Sequence, residues 1–128
     1  MTFTPPTNRP DLEYPVLRQV EVNPFMQDGK QLICLRDPLN IAQHILVLPA
    51  LPFFISTFMD GQHSIADIQG QIERQFKRSI PAEQIWEIVQ KLDQELYLES
   101  QPFFEAHQKT IEDFLNDPLR PAIHAGQA

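Results

Sequence analysis

Apolar side chains recur at helical spacing in the second half of the chain. In residues 64–76, Ile65, Ile68, Ile72 and Phe76 fall at i, i+3, i+7 and i+11, and in residues 81–96 Ile85, Ile88, Leu92 and Leu96 repeat that spacing. Each segment carries one apolar stripe, so the two helices must bury each other. Local chemistry marks their ends. Asp60-Gly61 makes a turn, Ser64 can cap the second helix with Asp67 in its first turn, and Pro81 suits the first position of the third. A fourth helix is expected over Phe103–Asn116, opened by Pro102 and stopped by Asp117-Pro118, with Phe104, Ile111, Phe114 and Leu115 on one stripe. It must pack on the rest of the domain or on a partner.

The first half reads differently. Arg18–Val22 alternates, Pro24 interrupts, and Met26–Leu32 is centred on the Asp28-Gly29 pair of a type I′ hairpin. A strand over Gln31–Arg36 would put Leu32 and Cys34 on one face and Ile33 and Leu35 on the other, a pattern of partial cover on both sides. Pro24 fits an edge position. After the Asp37-Pro38-Leu39-Asn40 turn comes the most hydrophobic run, Ile41–Met59, broken by His44, Pro49, Pro52 and Ser56-Thr57 and flanked by no basic cluster. Those breaks argue against a membrane span and divide the run into a third strand, His44–Leu48, and a first helix from about Leu51 to Met59. The expected class is α+β: three antiparallel strands, three helices and an appended C-terminal helix, with a short extended piece at Tyr97–Ser100 in the position of a wing. Residues 1–15 hold four of the twelve prolines and read as an extended arm, residues 16–117 as one domain, and residues 118–128 as a linker tail.

Composition narrows the function. A chain of 128 residues can bury enough surface for one independent core. The single cysteine, Cys34, excludes an internal disulfide framework, and residues 1–10 have no apolar signal core, so a cytoplasmic protein is expected. Net charge is -7, with nine acidic and three basic side chains after residue 78. That balance works against nucleic acid or an anionic membrane as partner.

No catalytic constellation emerges. Cys34 and His44 could be imagined as thiol and base, but no third group is placed to orient the base. His44, His63, His107 and His124 lack metal-site spacing, Glu112 and Asp113 point in different directions on their helix, and the four glycines are isolated. No metal, cofactor or enzymatic activity is expected. The basic cluster Arg74, Lys77 and Arg78 sits at a helix C-terminus, where cations are favourable in any case.

Two resemblances add to this reading. The segment Phe58–Ile68, a hydrophobic helix end followed by Asp-Gly and then by Ser64-Ile65-Ala66-Asp67-Ile68, resembles the PqqD-like winged-helix fold of recognition elements for ribosomally made, modified peptides. Cys34-Leu35-Arg36-Asp37-Pro38, the Asp60–Gln69 segment and the His124-Ala125-Gly126 triplet resemble, in that order, the leader and opening motif of bacterial Memo-like proteins of the "AmmeMemoRadiSam system protein B" type. This second likeness implies a missing Memo-like domain after residue 128, and no catalytic residue is carried over from it.

The PqqD-like resemblance implies a ligand peptide added as a strand to the third strand and lying against the third helix, here Ile45, Leu46 and Val47 with Trp86, Val89, Gln90 and Asp93. Trp86 lies one residue off the core stripe and need not be buried, though it could equally close the core. Glu83, Glu87 and Asp93 would favour a basic peptide or protein. An accessory domain that positions or dimerises an attached domain is the alternative, and it would need the fourth helix to dock outside the domain. A winged-helix DNA reader is disfavoured, because residues 81–96 set Glu83, Glu87, Asp93 and Glu95 against Lys91 alone.

Overall fold

A computed structural model describes residues 9–117. Its elements run β1 (Glu21–Gln27), β2 (Lys30–Arg36), β3 (Leu46–Pro49), α1 (Ala50–Ser56), α2 (Ile65–Phe76), α3 (Ala82–Gln94) and α4 (Gln101–Leu115), preceded by one 3-10 turn at Pro10–Leu12. This is a mixed α+β fold with an antiparallel sheet ordered β1-β2-β3. Asp28 and Gly29 both adopt positive φ, 53° and 77°, as a type I′ hairpin requires.

The first strand starts later than the alternation at residues 18–22 indicated, and it runs through Pro24 opposite Ile33. β1 is the edge strand, so the missing proline N–H costs no ladder bond there. β3 is shorter than expected and α1 ends at Ser56, where Ser56 Oγ donates to the Phe53 carbonyl and Thr57 Oγ1 to that of Phe54. Ile33, Leu35, Leu46 and Leu48 point from the sheet into the core, while Leu32 and Cys34 on the opposite face of β2 are half-buried.

α2 is held by a capping box. The Asp67 N–H donates to Ser64 Oγ at 3.2 Å and the Ser64 N–H to Asp67 Oδ2 at 3.0 Å. α3 is the central helix, packed on α1, α2 and α4. Its buried set is therefore wider than one stripe: Ile85, Trp86, Val89, Leu92 and Asp93 are all buried, whereas Ile88 and Leu96 of the predicted stripe are half-buried. The helix ends in a Schellman pair of bonds, from the Tyr97 N–H to the Leu92 carbonyl and from the Leu96 N–H to that of Asp93.

Residues 9–15, expected as part of an extended arm, make the 3-10 turn and bury Leu12. Beyond it Leu17 bridges Leu98 antiparallel and Val16 bridges Asp60, so the piece in the wing position pairs with the N-terminal segment. The remaining arm residues and the expected tail, residues 118–128 with the His-Ala-Gly triplet, lie outside the described residues. No helix among the described residues is long and apolar enough to cross a membrane.

Candidate functional site

The residues expected to bind a peptide do not form one exposed surface. Ile45 and Val47 are exposed, 60% and 46%, and Gln90 is exposed on α3. Leu46, Trp86 and Val89 are core side chains, so the expectation that Trp86 could stand outside the core is corrected. Its indole is buried because α3 is enclosed on three sides. Asp93 is buried too, and its carboxylate is already engaged: Arg9 donates to both oxygens at 3.0 and 3.1 Å and Ser100 Oγ donates to Oδ1 at 2.6 Å. It is closed to a basic partner. β3 packs on β2 and α1, leaving its outer edge unpaired among the described residues.

An apolar surface is left open on α4. Of its fifteen residues only Phe103 is buried. Phe104, Ile111, Phe114 and Leu115, the side chains predicted to form its stripe, are 41 to 57% exposed. Ile111, Phe114 and Leu115 line an open groove of about 290 Å³ whose far wall is Leu39 and Ile41. Along the other flank of the same stripe, Phe104, Gln108 and Glu112 line a second groove of about 580 Å³ with Asp11.

Both walls of the first groove are fixed by buried polar groups. Asp37 anchors the loop that carries Leu39 and Ile41. Its Oδ1 accepts from Arg18 Nη2 at 2.9 Å and from the Leu39 N–H at 3.0 Å, and its Oδ2 accepts from the Ile41 and Ala42 N–H groups at 2.9 and 2.8 Å. Burial raises the carboxyl's pKa, but the bonds from Arg18, Ala42 and Leu39 outweigh it and hold it below the usual carboxylate range. The Arg18 guanidinium, itself buried, also donates to the Leu96 carbonyl at 2.6 Å and lies 4.0 Å from the centre of the Phe103 ring. One cation thus joins loop 37–42, the end of α3 and the root of α4.

The start of α4 is capped from the N-terminal segment. Ser100, the N-cap residue, gives its hydroxyl to Asp93, and Asp11 Oδ2 accepts the Gln101 N–H at 2.8 Å instead. The bond from Arg9 is the main reason Asp11 sits below its ordinary pKa, with burial opposing and the Gln101 N–H adding to it. Sequence reasoning missed these pairs, which join residues 19, 84 and 90 positions apart. The only local signal was Asp37 before Pro38, a residue type that bonds backbone N–H groups just beyond it.

Among the described residues no group of three or more histidine, cysteine or acidic side chains could hold a metal ion. Cys34 is free and half-buried, and His44 Nδ1 lies 3.3 Å from Glu95 Oε1.

No family model matches the chain, and no solved structure matches it. The chain is similar to a "MEMO1 family protein" of Aquifex aeolicus (strain VF5), 31% identical over 114 residues that make up 89% of this chain. The match spans 29% of that relative, so the chain corresponds to less than a third of the curated protein it resembles.

Proposed function

We propose that this chain is a non-catalytic accessory domain of a Memo-like protein, docking onto the rest of such a protein through the apolar stripe of α4. The observation that carries this reading is the exposure of Phe104, Ile111, Phe114 and Leu115 on a helix whose root is fixed. Similarity to a protein more than three times the length of the match supports a larger body for the helix to meet. The buried ionisable side chains Arg18, Asp37 and Asp93 are all spent on structural contacts, which supports a role without chemistry. Element order, with the Leu17–Leu98 bridge in the wing position, supports the PqqD-like winged-helix assignment.

The energetics suit a tethered contact. Burying the exposed half of four large apolar side chains is worth about 4 kcal/mol. The partner's face buried against it adds a similar amount, which leaves a small surplus over the cost of free association, whereas a linker supplies an effective concentration near the millimolar range. In trans the contact should be weak. A second reading, peptide addition to β3, is favoured by its unpaired edge beside exposed Ile45 and Val47, though Trp86, Val89 and Asp93 would then act only from beneath the surface.

Both readings are tested by titrating the isotope-labelled chain with the part of the Aquifex relative outside the matched segment. Shifts at His107–Leu115 and Leu39–Ile41 are expected. Shifts confined to Ile45–Leu48 and Gln90 would transfer the function to the β3 edge.

A further inference from the structure

A second exposed patch has a chemistry unlike the rest of this acidic chain. Phe54 on α1 and Phe76 at the end of α2 meet edge to face, centroids 5.5 Å apart, with 48% and 37% of their surfaces open to solvent. Lys77 and Arg78 directly follow Phe76 and are exposed; Arg74, also exposed, lies two residues before Phe76 and so on the opposite side of α2, its guanidinium beside Gly70. Among the described residues Arg9, Arg18, Arg36 and Lys109 are ion-paired, whereas Lys77 and Arg78, like Lys30, Arg74 and Lys91, have no carboxylate partner. α1 bears no acidic residue, and neither does the connection Ser79-Ile80-Pro81; Glu73 is the one carboxylate in the last turn of α2.

Backbone geometry sets this patch apart as well. Lys77 ends α2 in the left-handed region at φ 55°, ψ 32°, a position where glycine is the usual residue. Leu96, which ends α3 at φ 66°, has a packing reason for the same strain: its side chain lies against the core and its carbonyl accepts from Arg18. Asp28 and Asn40 are residue types that tolerate the conformation. Lys77 has neither excuse, since its side chain is exposed and unpaired. A lysine at this strained position puts an exposed charge directly after Phe76, at a helix C-terminus that favours a cation.

We infer that Phe54, Phe76, Lys77 and Arg78 form a docking surface for an acidic protein segment, the cations meeting its carboxylates and the ring pair taking an apolar side chain from it. Charge complementarity selects the occupant, since two adjacent cations beside the ring pair stand on a chain of net charge -7. Nucleic acid fits less well. It would meet the acidic remainder of the chain on either side, and two phosphate contacts are fewer than such binding normally uses.

The test uses the full chain and a fluorescent twelve-residue probe peptide of glutamates with two leucines, beside a counterpart with glutamine for every glutamate. Lys77→Gly is the informative variant because its two effects have opposite signs. It should raise the melting temperature by about 2 to 4 °C through relief of the left-handed strain, while weakening the glutamate peptide several-fold. Lys77→Glu/Arg78→Glu should weaken it by about tenfold or more, as should raising the salt to about 0.5 M. The glutamine peptide should bind none of the three proteins. Equal binding of the two peptides, unchanged binding by Lys77→Gly, no binding near 1 mM, tighter binding of a single-stranded oligonucleotide, or occupation of the patch by a second copy of the chain would each overturn the inference.

Discussion

Replacing Asp37 with alanine should be among the most damaging single changes available in this chain. The carboxylate is 3% exposed and collects four hydrogen bonds, one from the Arg18 guanidinium and three from backbone N–H groups of the loop after it. Its removal leaves a buried guanidinium with one carbonyl partner and frees three N–H donors. Breaking a buried pair from one side costs about 3 to 5 kcal/mol, against a total stability of about 5 to 15 kcal/mol for a domain. At about 4 °C per kcal/mol for a chain of this size, the melting temperature should fall by about 12 to 20 °C. Urea unfolding with tryptophan fluorescence reads the change directly, since the only tryptophan, Trp86, is buried in the core. The pH dependence follows from the same bonds. Because the folded carboxyl's pKa is depressed, its contribution is present above the unfolded value of about 4 and is lost as pH falls through the lower folded value, so the gap between wild type and variant should narrow only below about pH 4. Arg18→Met/Asp37→Leu, which removes both charges together, should recover only the part of the loss due to the unpaired guanidinium, because the three loop N–H donors stay without an acceptor. An Asp37→Ala protein within 1 kcal/mol of wild type at an unchanged slope would refute the claim that this carboxylate organises the loop.

Other substitutions test separate parts of the account. Ser64→Ala removes one half of the capping box and should cost about 1 kcal/mol in urea unfolding. Tyr97→Phe deletes a hydroxyl that donates to the His44 carbonyl at 2.6 Å and lies 3.0 Å from that of Leu35; a loss of about 1 kcal/mol is expected, with faster amide exchange at the entry to β3. Trp86→Ala should cost about 3 to 5 kcal/mol of stability, since the indole is core; stability unchanged alongside weakened binding would restore it as a ligand anchor.

Much of the fold was readable because its signals are local. The Asp28-Gly29 turn, the Ser64 and Asp67 box, Pro24 on an edge and the stripe of α2 each need only a few neighbouring residues. What could not be read depends on distant partners. A single stripe on α3 leaves Trp86, Val89 and Asp93 looking available, yet a helix packed on three others buries a broader arc. The Arg9–Asp93 and Arg18–Asp37 pairs have no sequence period at all. α4 shows the opposite limit: periodicity predicted its apolar stripe, but a stripe states only that a face needs cover, and here most of that face is open.

The central claim is that α4, and not the β3 edge, is the docking element. It is tested most directly by measuring the affinity of three proteins, wild type, Ile111→Asp/Leu115→Asp and Val47→Asp/Gln90→Ala, for the part of the Aquifex relative outside the matched segment. All four positions are exposed, so each variant should keep the wild-type fold and unfold within about 0.5 kcal/mol of it. The account predicts that the α4 variant loses about tenfold or more in affinity while the β3 variant stays within about twofold of wild type. Loss in the β3 variant with the α4 variant unaffected would contradict it.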